Sequence, residues 1–409
     1  MTMVTRDREH PPTPPPEPDL TPEALLARVT QLAPGLTDRQ AETERRTFYA
    51  PDVHEAFTRA GLYRILVPRR YGGYEFGVDT FFRVAMTLAR ACPSTGWMYL
   101  FGAAHALPVA TLFDRAAQDE LFRDGDFICP LTVVPSGTAE RAGDGHWRIT
   151  GTWGYCSGAP FATHFAAHTL VPGADGEPEP MLFVLPREQW ERLDDWGGQL
   201  GLRGSGSHSI VVRDALVPDR FTRRVHLSQV SPATDALGRQ LHASPEYGGG
   251  QLSFMLLELG VLAAGMARGA LDAYEELLLS RTTIYPPIHD RVDDADYQFR
   301  YAEAHALIDT AEAAVFDAVR QWRELCEDPA TVTRAEELRL ALVSREAARL
   351  CWRAVESQLF PTAGSSAVRR GERIERVWRD MSMMRSHGGL GVFLAHQANR
   401  EFTRERFGR

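Results

Sequence analysis

Near the C-terminal end of the chain, Val377-Trp378-Arg379-Asp380 leads through a helical run to Ser386-His387-Gly388-Gly389. The paired glycines let the backbone turn tightly, and a histidine with a reference pKa of ~6.5 can donate a hydrogen bond or take a proton near neutrality. A second histidine, His105, follows Trp97 on a segment opened by Pro93-Ser94-Thr95-Gly96. On its own, a histidine among alanines reads as a satisfied core residue. Gly151-Thr152-Trp153-Gly154-Tyr155-Cys156-Ser157-Gly158 reads as a strand running into a turn, where Ser157 can bond its own backbone.

Leu200-Gly201-Leu202-Arg203-Gly204-Ser205-Gly206-Ser207 is glycine-rich, but a strand-like run, Ser209-Ile210-Val211-Val212, follows it. A dinucleotide fingerprint has to follow a strand and open a helix, so the Rossmann reading fails. Arg281 closes a helical run, where a cation complements the macrodipole. His164 and His168 have the spacing of helical zinc ligands. They lie in a strand-rich stretch without the glutamate of a zincin, and no metal site is expected.

These residues need a scaffold. Residues 1–20 are proline-rich and polar and read as a disordered lead. Residues 21–126 carry helical periodicity, starting from Thr21 as N-cap with Pro22 at the first helical position. Residues 127–228 carry short β-branched or alternating runs separated by Gly, Pro and Asp, the pattern of a small sheet or barrel. Residues 229–409 return to helix, with long elements at 250–281, 294–327, from the Thr333-x-x-Glu336 capping box onward, and at 371–386, enough for a four-helix bundle. The fold class is α+β, mostly α. The greasiest stretch, 254–267, is interrupted by Glu258, falls short of the ~20 residues of a membrane span, and reads as a core helix.

A net charge of −9 gives no basic field for a nucleic acid. Five scattered cysteines without a C-x-x-C pair argue against a disulfide framework or zinc ribbon and fit a reducing cytoplasm. The polar, proline-rich opening does not resemble a signal peptide.

The order helix, sheet, bundle, together with Leu62–Trp97, Gly151–Gly158, Leu200–Pro218 and Val377–His387, resembles the acyl-CoA dehydrogenase fold over about residues 21–405. Within that fold it resembles the oxygenase components of two-component flavin-dependent monooxygenases, the group D hydroxylases. The resemblance implies an N-terminal helical domain, a central β domain and a C-terminal four-helix bundle, assembled as a homotetramer. It implies reduced flavin, FMNH2 or FADH2, delivered by a separate NAD(P)H:flavin reductase. O2 would then give a C4a-hydroperoxyflavin that hydroxylates an aromatic or heteroaromatic small molecule, with N- or S-oxygenation as variants.

By the same resemblance, Trp153, Tyr155 and Ser157 lie along the flavin edge with the Ser157 hydroxyl at N5, and Arg203, Ser205, Ser207 and Arg281 lie near the flavin or its phosphate. Trp97, His105, Phe161 and His387 face the substrate, with His105, Ser157 and His387 as the catalytic set. Two departures matter. Relatives commonly carry an Asp-His pair where this chain has Pro160-Phe161, and dehydrogenases carry Tyr-Glu where it has His387-Gly388. Without a carboxylate to abstract a weakly acidic C–H proton, the rival acyl-CoA dehydrogenase reading loses its base. A non-catalytic scaffold of the same fold is the second rival.

Overall fold

The computed structural model describes residues 12–143 and 145–409. Seven helices come first: α1 Pro22–Asp38, α2 Gln40–Arg46, α3 Pro51–Ala60, α4 Gly77–Ala91, α5 Pro93–Ala103, α6 Ala106–Leu112 and α7 Arg115–Leu121. Thr21 caps α1 as expected, its hydroxyl accepting from the Ala24 amide at 3.2 Å with Pro22 just inside. The proposed disordered lead needs correcting. Its residues 1–11 lie outside the described residues, but 12–20 dock as a strap: the Thr13 amide bonds the Arg70 carbonyl, Glu17 pairs with Arg28, and Leu20 is buried.

The β region has strands β1 Leu131–Thr132, β2 Thr138–Arg141, β3 His146–Trp153, β4 His164–Pro172, β5 Pro178–Pro186, β6 Glu191–Arg192, β7 Ile210–Pro218 and β8 Thr222–Arg223. They form two four-stranded sheets, β1-β4-β5-β8 and β2-β3-β7-β6. Trp153 at the end of β3 meets Phe165 of β4 and Phe183 of β5 edge-on, so the sheets pack face to face across an aromatic core.

Then come α8 Leu237–Leu241, α9 Gln251–Ser280, α10 Ala295–Glu327, α11 Arg334–Arg353, α12 Phe360–Ala363, α13 Arg373–Arg385 and α14 Ala398–Phe407. The capping box is in place at α11, with the Thr333 amide on Glu336 at 2.8 Å and the Glu336 amide on the Thr333 hydroxyl at 3.3 Å. Ser344 of α11 is spliced into α9, accepting from the Gly260 amide and donating to the Leu256 carbonyl. At 30 residues α9 matches the long helix expected at 250–281 and is long enough to cross a bilayer, yet 89% of its most apolar window is buried inside the protein. Packing on α4, α10 and α11 makes it the core helix of the bundle. After α13 the chain turns at Ser386 and His387, then winds through a π-helical segment, Gly388–Gln397, into α14.

Candidate functional site

Helix α5 is buried on almost every side, so it can hold side chains rigidly toward several neighbours at once. From it the Trp97 indole N–H donates to the Ser157 hydroxyl at 3.0 Å. Ser157 shares a 2.7 Å hydrogen bond with Ser207, and Ser207 another of 2.7 Å with Ser205. An indole only donates, so one Ser157 lone pair is fixed. In one of the two directions open to the chain, Ser207 donates to Ser157, whose own O–H is then free for a ligand. Two glycines let the serine loops press against α5. A Cβ on Gly158, at φ +97°, would lie 3.0 Å from the Gly102 Cα, and one on Gly206, at φ +59°, would lie 2.9 Å from Pro160 and 3.0 Å from the Met98 sulfur.

The serine loop is held from the other side by Asp380 of α13. Its carboxyl accepts from the Leu202 amide at 2.5 Å and lies 3.5 Å from the Ser94 hydroxyl, which in turn accepts from the Gly204 amide at 3.3 Å. Burial pushes the Asp380 carboxyl up to about 7. Beside it Glu44 pairs with Arg376 and Arg379, and Arg379 with Glu375. Arg203 belongs to this knot, with its Nε on the Gln199 carbonyl and a 3.5 Å pairing to Glu44.

The same helix delivers His387. Its ring meets the Trp97 ring at 5.5 Å, nearly perpendicular, and lies 6.1 Å from Phe101. Nδ1 accepts the Gly389 amide at 3.2 Å, capping the segment that follows. A nitrogen that accepts carries no proton, so the neutral ring carries its proton on Nε2. Desolvation lowers the His387 pKa to about 4. The residue packs against these rings and is still exposed. Leu256 and Leu259 of α9 back the Gly389 turn.

Trp97, Ser157, Ser205, Ser207 and His387 therefore converge, while other expected site residues are used elsewhere. His105 is 3% exposed, and its Nδ1–H donates to the Cys129 carbonyl at 2.7 Å, with burial lowering its pKa to about 4. This bond straps α5 to the β region through Nδ1, so the substrate-side role expected of His105 would fall to Nε2. Phe161 stacks on His54 at 4.2 Å and on Tyr49 at 5.4 Å, tying its loop to α3. Trp153 donates to the His168 carbonyl at 3.1 Å inside the β core, which explains its burial without a cofactor. Tyr155, at φ +60°, is 69% exposed and leans edge-on against Trp196.

Arg281 bonds the Ser366 hydroxyl at 2.8 Å. It lies roughly 33 Å along the helix from Leu259 and the His387 turn. Ser94, Phe101 and Asp380 were not singled out as site residues from the sequence. The available signal was Asp380 itself, a carboxylate on the Val377, Met381, Met384 stripe that α13 buries. The hollow of about 350 Å³ under the strap, lined by Glu17, Leu20, Ala24 and Arg28, is remote from this chemistry, and Glu17 and Arg28 already satisfy each other there.

The group suits a flavin. A flat apolar ring with a polar edge matches a buried hydroxyl chain ending at Ser157, an exposed Tyr155 ring and Leu200 on adjoining loops, and a donor on His387. Residues 23–121 match the family profile "Acyl-CoA dehydrogenase, N-terminal domain" and 257–391 match "Acyl-CoA dehydrogenase, C-terminal domain". The chain is 30% identical over 389 residues to a pigment production hydroxylase of Rhodococcus sp. (strain ATCC 21145), covering 94% of this chain and 97% of that one. It is 30% identical to the flavin-dependent monooxygenase oxygenase subunit HsaA of Rhodococcus jostii (strain RHA1), covering 88% and 93%. The structure of XiaF from Streptomyces sp. in complex with FADH2 and glycerol superposes with a TM-score of 0.85 at 26% identity, covering 95% and 96%. The chain belongs to the flavin-dependent monooxygenase oxygenases built on the acyl-CoA dehydrogenase fold.

Proposed function

We propose that the protein is the oxygenase component of a two-component system that hydroxylates an aromatic or heteroaromatic small molecule, with reduced flavin supplied by a separate NAD(P)H:flavin reductase. The observation that carries this reading is the convergence of the Trp97–Ser157–Ser207 hydrogen-bond chain with the His387 ring where a dehydrogenase would present a carboxylate. Bound reduced flavin would supply the two electrons that activate O2, one of whose atoms is transferred to the substrate. Ser157 would offer its O–H to the flavin edge in the chain direction in which Ser207 donates to it, with the Trp97 N–H on one of its lone pairs. His387 offers Nε2–H to the reacting oxygen or the substrate, and its low pKa keeps it a neutral donor near pH 7. Trp97 and Phe101 supply flat apolar walls that suit an aromatic ring and exclude water.

Arg281 supports assembly. At roughly 33 Å along α9 from the His387 turn, it would be the flavin phosphate of a neighbouring copy in a homotetramer that Arg281 could hold. The exposed Leu279, Ile284, Tyr285, Ile288 and Phe299 around it fit a covered surface. The deciding experiment supplies NADH, a flavin reductase, 18O2 and a panel of phenols and indoles to the purified chain. One 18O per product molecule is the expected result. Anaerobic desaturation of acyl-CoA thioesters, with no oxygen incorporation, would overturn the reading.

A further inference from the structure

Five residues other than glycine hold a positive φ among the described residues: Thr47, Glu75, Tyr155, Leu202 and Asp214. Only Thr47, which ends α2 at φ +68°, is β-branched, the side-chain class that this region disfavours most. A helix that ends on a left-handed residue ordinarily uses glycine or asparagine there. The Thr47 hydroxyl lies 3.1 Å from Nε2 of His208, a second costly residue. The His208 side chain is fully buried, and its Nδ1 has no hydrogen-bond partner. Asp194 and Asp195 face that nitrogen at 3.9 and 3.8 Å, too far to bond it but close enough to favour a proton on it. Nε2 then accepts, and the Thr47 O–H donates. Burial first, and Arg192 after it, lower the His208 pKa and keep the ring neutral.

Both costs fall at the back of the serine chain. The Thr47 carbonyl accepts the Gly206 amide at 2.8 Å, between Ser205 and Ser207. His208 follows Ser207 directly, and its own carbonyl accepts the Cys156 amide at 3.1 Å, next to Ser157. The hydroxyl–imidazole contact therefore ties the end of α2 to the two loops whose serines bond each other. One turn earlier on α2, Glu44 pairs with Arg376 and Arg379 of α13, the helix that leads to His387. The serine chain and His387 thus share one brace. The loop before the chain closes over it as well, since a Cβ on Gly197 would lie 2.7 Å from the Thr47 methyl. A glycine at 47 and an apolar residue at 208 would suit the turn and the core better, and this chain has neither.

We propose that Thr47 and His208 are positioning residues for oxygen transfer, whose contact fixes the approach of Ser207 to Ser157 and so the direction of the Ser157 hydroxyl. They act through the Gly206 and Cys156 amides and do not themselves join the Trp97, Ser157 and His387 group. The proposal rests on the oxygenase reading and adds to it the residues that hold its hydroxyl chain in place.

The test compares full-length wild type with Thr47→Gly and His208→Leu, which break the contact, and with Thr47→Ser and His208→Gln, which keep a hydroxyl and an acceptor for it. In flavin-free protein, hydrogen exchange of the 154–158 and 204–208 segments should be about tenfold faster than wild type in the first pair and within about twofold of it in the second. With reduced flavin, O2 and a phenol or indole that wild type turns over, product per flavin oxidised should fall about tenfold in the first pair and stay within about twofold in the second. Thr47→Gly relieves the left-handed residue and His208→Leu removes an unpaired nitrogen, so Tm in the first pair should be no lower than in the second. A merely structural role makes yield follow Tm across the four variants; that outcome, or exchange and yield undisturbed in the first pair, overturns the proposal. Failure of the oxygenase reading shows separately, as absence of oxygen incorporation by wild type, while hydrogen exchange still tests the brace without turnover.

Discussion

His105 and His387 are the same residue type, each beside a Trp97-bearing helix, each with its pKa lowered to about 4 by desolvation. They differ in which nitrogen is engaged and what lies beyond the other one. His105 donates through Nδ1 to the Cys129 carbonyl and is closed inside the core. His387 accepts at Nδ1 from Gly389, no hydrogen bond engages its Nε2 among the described residues, and the residue is exposed. A shifted pKa therefore does not mark function by itself; the free nitrogen and the space in front of it do.

The largest effect should come from His387→Ala. Loss of one preorganised donor is expected to lower the yield of hydroxylated product per flavin oxidised by about 100-fold, the scale for removing such a donor, with hydrogen peroxide accounting for the difference. His387→Gln, which can offer an N–H near the Nε2 position, should recover part of the yield; equal yields in the two variants would remove the donor role.

Next in size is Ser157→Ala, which leaves the Trp97 N–H without its acceptor and breaks the link to Ser207. About tenfold uncoupling is expected, on the scale of a lost charge-stabilising contact, with a stability loss of about 1–3 kcal/mol in urea titrations. A destabilised variant with unaltered coupling would make Ser157 a packing residue only.

His105→Ala sharpens the comparison from the other side. It orphans the Cys129 carbonyl and opens space in the core, so unfolding free energy should drop by about 1–3 kcal/mol while coupling changes less than twofold. A coupling defect of His387 size would restore His105 to the site. Acid titration does not separate the two histidines. In both the folded pKa lies below 6.5, so their stabilisation is present above that pH and fades as pH falls from 6.5 toward 4. Coupling should show no inflection near 6.5 in a pH series at constant ionic strength; an inflection there that disappears in His387→Gln would mean that the ring titrates.

The smallest effect belongs to Asp380, whose folded pKa of about 7 lies above its reference value of 3.8. Its contribution to stability is complete below pH 3.8 and declines as pH rises to about 7. Asp380→Asn keeps an acceptor for the Leu202 amide and removes that dependence, so the variant should gain on wild type between pH 4 and 7 in thermal melts. Asp380→Ala should lose at every pH.

Much of this arrangement was legible because its signals are local. The Thr21 and Thr333 caps, the alternating runs of the sheets and the turn at His387 are each written within a few residues. The glycine spacing around Ser157 and Ser205 marked two loops that meet beside α5. What could not be read depends on contacts distant in sequence. The strap that His105 makes was hidden because its partner, Cys129, is 24 residues away, and Asp380 was passed over because its partners, Leu202 and Ser94, are 178 and 286 residues away. Phe161 was assigned to the substrate because its loop carries the departure from the relatives, yet its stacking partners lie on and before α3.

The hydrogen bond from Gly389 to His387 couples two jobs in one heterocycle. A neutral imidazole has a single ring lone pair, and here the start of the C-terminal segment occupies it. Taking a proton would require surrendering that lone pair, and with it the anchor of everything from Gly388 to the terminus. Basicity and an intact tail are mutually exclusive at this residue, so any ligand acidic enough to protonate the ring would announce itself as loosening of the last twenty or so residues, visible as faster amide exchange there.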